Sequence, residues 1–244
     1  MHYNIFNKII FKKIAQHANY VIVFLVCTSH YAQGDAMALQ PISPLHTIKQ
    51  TQDELILVVK KEDLFGVHIF QGFKQTDLQH YLKIINERKK FLPRSLMEHD
   101  FNYKQIIPYL IFEHENKFFL MQRSAKASES RLKNKYTLGI GGHVRQEDLD
   151  EGQTLFDWAQ REFNEEVFYP GNLTVKSLGI INDDSNDVGK VHAGFVLLLQ
   201  GDSPHIKIKS ELKNGTLLPL EECKTFYPHM ESWSQMVFTY LQET

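Results

Sequence analysis

The feature that most constrains this chain is a trio of carboxylates, Glu162, Glu165 and Glu166, in the segment Arg161–Glu166. Their spacing places all three on one side of an α-helix. Like charges at this spacing repel each other, and burial would raise that cost or drive the carboxylates to take up protons. The opposite side of the longer predicted helix is apolar, with Leu155, Trp158, Phe163 and Val167. The trio therefore predicts a helix with a sheet on one side and a cation or solvent on the other.

A divalent cation is the partner that would stabilise this trio. Mg²⁺ and Mn²⁺ prefer oxygen ligands, and Mg²⁺ keeps several waters, which leaves positions for the phosphate oxygens of a substrate. Arg161 follows Asp157 by four residues and precedes Glu165 by four. Its forked guanidinium can therefore hold carboxylates in place. Taken alone, the same pattern is also typical of a solvated acidic helix face.

Two glycines upstream favour the metal-binding interpretation. Gly141 and Gly142 follow a strand-like stretch and precede the helix, and glycine lets a backbone approach a ligand closely. The layout resembles the box of the Nudix, or MutT-like, hydrolase family: Gly, five residues, Glu, seven residues, then Arg-Glu-apolar-any-Glu-Glu-any-Gly-apolar. The resemblance covers about 105–244. The matching positions are Gly142, Arg161, Glu162, Phe163, Glu165, Glu166 and Tyr169.

The chain departs from this box in three places. Ten residues, 143–152, separate Gly142 from position 153, where the family has five. Position 153 is Gln instead of Glu, which keeps the hydrogen-bonding shape but loses the charge. Phe168 stands where the box has its glycine after Glu-Glu, so we expect a different helix exit. The central Arg-Glu-x-x-Glu-Glu is intact, and we expect metal binding to be retained.

The resemblance implies an Mg²⁺- or Mn²⁺-dependent hydrolase that cleaves a diphosphate bond in a nucleoside-diphosphate-linked or related small molecule. The metal ligands that it implies are Gly142, Glu162, Glu165 and Glu166. The catalytic residues that it implies are Glu162, Glu165, Glu166, Arg161 and Gln153. One of the carboxylates would act as the general base, and the resemblance does not assign which one, because family members differ.

Three residues outside the box are predicted to contact the substrate. Arg123 ends a strand that resembles the strand and Arg usual in the family, and Lys135 closes a basic loop, 124–135, that would attract phosphates. Asp184 lies in an acidic turn between two strands that would border the pocket. The loop is equally consistent with a solvated surface, and Asp184 with turn formation alone.

Hydrophobic patterns predict the main secondary-structure elements. The predicted strands are 55–59, 173–181 and 192–200, and the predicted helices are 77–89 and 230–242. A capping box at Thr154 and Asp157 starts one more helix, which Pro170-Gly171 is expected to end. The runs Ile106–Phe112 and Lys117–Gln122 predict a hairpin with a four-residue loop.

These elements indicate an α/β fold. The resemblance specifies a Nudix-like α/β/α sandwich with a mixed sheet, plus a small N-terminal α/β extension. We expect three parts: an N-terminal extension at 1–36, an N-terminal α/β segment at 37–104, and a Nudix hydrolase domain at 105–244.

Residues 1–36 differ from the rest of the chain. They carry three lysines, one acid and the apolar run Tyr20–Cys27, which is too short for a bilayer span of about 20 residues. A basic stretch followed by a short apolar run is typical of a secretory signal peptide. The alternative is that translation begins at Met37. We expect a cytoplasmic protein with no membrane span, and export is the alternative.

The composition narrows the partners. The chain has 27 Lys and Arg against 29 Asp and Glu, whereas a protein that coats nucleic acid is usually strongly basic. We therefore expect a small-molecule diphosphate as the partner and no stable nucleic-acid complex, and the oligomeric state stays open. Two cysteines, Cys27 and Cys223, are too few for a disulfide framework or a Cys-rich zinc site.

Two other functions stay open. Gln153, the longer loop and Phe168 are consistent with a non-catalytic Nudix-like module that binds or senses a nucleotide. An isomerase of the isopentenyl-diphosphate type, which also has a Nudix-like fold, would need a cysteine near the pocket. Cys223 is the only candidate outside residues 1–36.

Overall fold

A computed structural model describes residues 53–123, 134–150, 154–209 and 212–244. The strands are β1 (Leu55–Lys60), β2 (Gly72–Gln75), β3 (Lys90–Pro93), β4 (Tyr103–His114), β5 (Lys117–Arg123), β6 (Tyr136–Thr137), β7 (Gly139–Gly141), β8 (Val167–Phe168), β9 (Leu173–Asn182), β10 (His192–Gly201), β11 (Lys207–Ile208) and β12 (Leu212–Pro219). The helices are α1 (Lys61–Phe65), α2 (Gln79–Arg88), α3 (Arg94–Met97), α4 (Leu155–Glu166), α5 (Asp187–Val191), α6 (Leu220–Cys223) and α7 (Ser232–Glu243).

A ten-stranded mixed sheet is the frame of the molecule. Its main order is β12-β5-β4-β10-β9-β2, with β1 and β7 paired to β4, β3 to β1, and β6 to β5. The central pair, β4 and β10, is parallel, with Gln105 opposite His192. The other pairings in this sheet are antiparallel. The α/β class with a mixed sheet that the sequence predicts is confirmed.

Helices cover both faces of the sheet because side chains alternate along the buried strand β4. Leu110 and Phe112 pack in one hydrophobic cluster with Trp158 of α4. Tyr109 and Ile111 point the other way and pack in a second cluster with Phe238 of α7. This arrangement is the predicted α/β/α sandwich, and it fixes α4 against the centre of the sheet.

The hairpin between β4 and β5 has a shorter loop than predicted. Glu113 pairs with Phe118 and His114 with Lys117, which leaves a two-residue turn at Glu115 and Asn116. Both turn residues have positive φ, 48° and 60°, as a type I′ hairpin turn requires. The predicted four-residue loop is therefore wrong. Polar residues continue the strand because the Glu113 carboxylate accepts hydrogen bonds from Asn116 N and Gln200 Nε2.

Helix α4 starts as predicted and ends earlier. Thr154 is its N-cap, and the reciprocal hydrogen bonds of the capping box with Asp157 are both present. The helix ends at Glu166, not at Pro170, because Val167–Phe168 forms a two-stranded ladder with β11. Val167 N bonds to Phe163 O, and Lys209 N bonds to Glu166 O. An extended exit needs no positive φ, which explains how Phe168 is accommodated in place of glycine.

Residues before 105 contribute to the same sheet as those after it. Strand β1 pairs with β4 and β2 pairs with β9. The boundary at 104/105 stays a prediction about the extent of the Nudix-like part, and the segment 1–36 lies outside the described residues. Among the described helices, none combines the length and apolar character that a membrane crossing requires.

Candidate active site

A cavity of about 780 Å³ opens beside the glycines of β7 and the acidic side of α4. Its wall also includes residues from α3, α5 and the start of α7. Among the described residues of the lining, seven are carboxylates and five are cationic groups. These are Glu54, Glu98, Glu162, Glu165, Glu166, Asp187 and Glu231, and Arg94, Arg123, Lys135, Arg145 and Arg161. In the described part of the lining, carboxylates therefore outnumber cationic side chains, and a bound cation would offset the difference.

Glu162 is the buried member of the carboxylate trio, with 7% of the residue exposed. It packs directly against Gly142, where a Cβ would overlap the carboxylate. Burial raises the pKa of Glu162 to about 7; Arg161 opposes the shift, and repulsion from Glu166 and Glu165 adds to it. A buried carboxylate with an elevated pKa is one that a cation would stabilise in its charged form.

Arg161 joins α4 to the loop that follows the glycines. Its Nη2 donates to His143 O at 3.0 Å, and its Nη1 lies 2.7 Å from Glu165 Oε2. Its Nε lies 3.1 Å from Asp148 Oδ1. Since the guanidinium is almost completely buried, these contacts fix the orientation of the loop and of Glu165 together.

Glu165 and Glu166 are the more accessible members of the trio. Glu165 is half exposed and is shared between Arg161 and Arg145, whose Nη2 lies 3.2 Å from Glu165 Oε1. Glu166 lines the cavity, and its charge helps to raise the pKa of Arg123. The structure thus brings together Gly142, Arg161 and all three glutamates. Gln153 lies outside the described residues.

Arg123 and Lys135 both lie in the cavity wall, as expected of substrate contacts. Arg123 Nε donates to Glu231 Oε2 at 3.0 Å, and the charge of Glu231 raises the pKa of Arg123. The other oxygen of Glu231 accepts hydrogen bonds from Tyr109 and Thr137. This network holds Arg123 at the cavity edge.

Asp184 is not part of the cavity wall. Its carboxylate accepts hydrogen bonds from Lys61 at 2.6 Å, Lys104 at 2.8 Å and Gln71 at 3.2 Å. Lys104 is completely buried, so Asp184 neutralises an internal cation. The structure therefore places Asp184 outside the described wall of the cavity, with its oxygens engaged by Lys61, Lys104 and Gln71, and it does not bring Asp184 together with Arg123 and Lys135.

Several cavity residues were not singled out by the sequence patterns. Arg145 comes from the lengthened loop, where its backbone N donates to the buried carboxylate of Asp148. His143 and His192 meet in the cavity wall, with their Nε2 atoms 3.2 Å apart. Burial lowers the pKa of both rings. In the sequence, the position of His143 directly after the paired glycines could have indicated that it lies near the site.

Cys223 is buried in the core and does not line the cavity. Burial raises the pKa of its thiol to about 11, which is unfavourable for a reactive cysteine. Among the described residues, therefore, no cysteine lies at this cavity, where the isomerase alternative requires one.

Comparisons with known proteins found relatives that align with most of this chain. No family model matches the chain. Protein YmaB from Bacillus subtilis (strain 168) is 34% identical, over 78% of this chain and 98% of YmaB. The crystal structure of Tm1382, a protein proposed to be a Nudix hydrolase, is 32% identical, with a TM-score of 0.65 over 78% of this chain and 99% of Tm1382. Both similarities extend well before residue 105, because 78% of the chain is more than the region after it contains.

Proposed function

This chain belongs to the Nudix hydrolases, which cleave pyrophosphate bonds, and from that premise we propose that it hydrolyses a nucleoside-diphosphate-linked or related small molecule with the help of Mg²⁺ or Mn²⁺. The observation that carries the proposal is the buried Glu162 carboxylate against Gly142, with Glu165 and Glu166 on the same side of α4. No other group of carboxylates in the described part of the cavity comes from consecutive turns of one helix.

The donors at this site fit a hard divalent cation. Glu162, Glu165, Glu166 and the backbone of Gly142 offer oxygen atoms, which Mg²⁺ and Mn²⁺ prefer. The excess of carboxylates in the wall and the elevated pKa of Glu162 support a cation at this position. When bound, the ion supplies neutralisation of the diphosphate charge and acidification of water.

Side chains of the protein position the site, bind the substrate and accept a proton. Arg161 positions Glu165 and the loop carrying His143. Arg123 and Lys135 at the cavity wall attract and orient the diphosphate. One glutamate of the trio accepts the proton of the attacking water. Glu166 is the first candidate to test, because it lines the cavity, whereas both oxygens of Glu165 are engaged by Arg145 and Arg161.

The test is a screen of nucleoside diphosphate derivatives with Mg²⁺, Mn²⁺ or chelator. Release of phosphate or mononucleotide is the measured product. We expect metal-dependent turnover, and we expect Glu166→Gln to lower kcat by about 100-fold or more. Glu243→Gln, at an exposed position near the end of α7, is the matched control and should behave as the native protein. Metal-independent turnover, or equal rates in both variants, would refute the proposal.

A binding module without catalysis predicts a different result in the same screen. It predicts saturable nucleotide binding, measured by calorimetry, with no product in the presence of either metal. In that case Gln153→Glu would restore the carboxylate of the box and create turnover. Turnover in the native chain decides against the binding module.

A further inference from the structure

Two histidines and a glutamate converge at a second place in the cavity wall. Glu98 follows α3, His143 follows β7, and His192 begins β10. One ligand atom from each lies within 4.8 Å of the other two. We propose that Glu98, His143 and His192 form a site for a transition metal of the Zn²⁺ class, separate from the carboxylate trio of α4.

The spacing of the two imidazoles fits such an ion. Zn²⁺ binds histidine nitrogens at about 2.0–2.1 Å in tetrahedral geometry, so two of its nitrogen ligands lie about 3.3 Å apart. The Nε2 atoms of His143 and His192 are 3.2 Å apart. The separation of these two nitrogens therefore matches that of two ligands of one ion.

The surroundings of the cluster orient its donor atoms inward. His192 Nδ1 lies 2.6 Å from Val188 O, which makes Nδ1 the protonated nitrogen and leaves the lone pair of Nε2 facing His143. Ligating histidines usually donate their second nitrogen to a carbonyl or carboxylate in this way. Arg94 Nε donates to Glu98 Oε1 at 3.3 Å and so orients the glutamate.

The side chain of Gln105 also faces His143 in this cluster. Gln105 Nε2 donates to Met97 O, which turns Gln105 Oε1 toward His143 Nε2 at 2.7 Å. One proton on His143 Nε2 can bridge to Gln105 or to His192, while Glu98 pairs with Arg94. A metal ion would replace that proton between the two imidazoles and take Glu98 as its third ligand.

The donor types distinguish this site from the one on α4. Imidazole nitrogen favours Zn²⁺, Co²⁺, Ni²⁺ and Cu²⁺, whereas a set of oxygens favours Mg²⁺ and Mn²⁺. The two sites should therefore be separable by choice of metal. The inference does not depend on turnover, so it stands or falls independently of the proposed hydrolysis.

The experiment is a titration of the tag-free full-length chain with Co²⁺ after removal of metals by chelator, in excess Mg²⁺. We expect the visible absorption of four-coordinate Co²⁺, reaching one equivalent per chain and displaced by Zn²⁺. We expect His192→Gln and Glu98→Gln to weaken binding by about 100-fold or more. His68→Gln, at an exposed histidine, and Glu166→Gln should leave the signal unchanged.

Three results would overturn the proposal. They are absence of the Co²⁺ signal in the native chain, an equal signal in His192→Gln, and loss of the signal in Glu166→Gln alone. Because a buried variant can fail to fold, the native chain provides a second readout. On addition of Zn²⁺ to ¹⁵N-labelled protein, the Nε2 resonance of His192 should shift. An unshifted resonance at saturating Zn²⁺ would overturn the proposal and show that His143 and His192 share a proton instead of an ion.

Discussion

Gly142 contributes to the site through the space it leaves. The carboxylate of Glu162 occupies the volume that a side chain at position 142 would take. That contact places a buried acid beside the backbone of the glycine segment, and burial together with the neighbouring glutamates keeps the pKa of Glu162 near 7. The absence of a Cβ at Gly142 therefore allows the Glu162 carboxylate to occupy its position among the three glutamates.

Gly142→Ala tests this dependence at a single residue. The added methyl group should displace the Glu162 carboxylate and lower kcat/KM by about 100-fold, since small misplacements in a catalytic site have effects of this size. Shortening the acid with Glu162→Asp in the Gly142→Ala background should recover part of the Mg²⁺ affinity. Affinity measured by calorimetry is the readout, and an unchanged value in Gly142→Ala would contradict the prediction.

Helix α4 is the element that carries most of the site. Its apolar side packs Trp158 and Phe163 into the core, while its other side presents Arg161 and the three glutamates. Because α4 has only 12 residues, its first turn affects the orientation of the entire helix. The capping box at Thr154 satisfies amide groups that have no partner within the helix.

Thr154→Ala should therefore destabilise the protein by about 1 kcal/mol, the usual effect of losing an N-cap side chain. Urea unfolding followed by circular dichroism measures this change. Thr239→Ala, in the interior of α7 and exposed, removes a hydroxyl that caps nothing and should change stability by less than about 0.5 kcal/mol. Equal effects of the two substitutions would show that the cap is not used.

The elements were predictable where their signals are local. The capping box, the carboxylate spacing and the apolar side of α4 all lie within a few turns of chain, and the structure has the helix start as predicted. The helix exit at Glu166 was missed because it depends on pairing with Lys207–Ile208. The turn at Glu115 was missed because a distant partner, Gln200, supports Glu113. Contacts between distant segments leave no periodic pattern in a sequence.

At the scale of the whole molecule, one carboxylate connects three distant segments. Asp184 precedes α5 and pairs with Lys61 of α1 and Lys104 of β4. Burial lowers the pKa of Lys104. Burial opposes the shift of Asp184, but hydrogen bonds from the two lysines lower the pKa of Asp184 to about 2. Sequence alone placed Asp184 at a pocket because neither lysine is near it in the chain.

The sign of the pH dependence follows from that shift. The pKa of Asp184 is depressed below its ordinary value of 3.8, so its contribution to the free energy of unfolding is complete above about pH 4. The contribution is lost as the pH falls toward 2. Asp184→Asn should lower stability at pH 7 by about 3 kcal/mol, because a buried Lys104 loses its counter-charge. The difference between variant and native protein should shrink on acidification.

Urea unfolding at pH 7, 4 and 2.5 measures this difference. Adding Lys104→Met to Asp184→Asn removes the unpaired cation and should recover much of the loss. A loss below about 1 kcal/mol at pH 7, the size seen for surface ion pairs, would contradict a buried role for this pair.

The parallel pairing of β4 with β10 has a consequence for how the chain folds. Strand β4 is synthesised long before β10, yet β10 is its neighbour along nine paired positions from Gln105 to Glu113. Closing so large a loop slows folding, since the entropy is lost before the contacts form. We therefore expect the apolar strand β4 to stay unpaired with β10 while the ribosome is still synthesising the C-terminal third of the chain. During that interval its unpaired edge is open to misassociation, and chaperones that shield nascent strands would be of most use to this protein then.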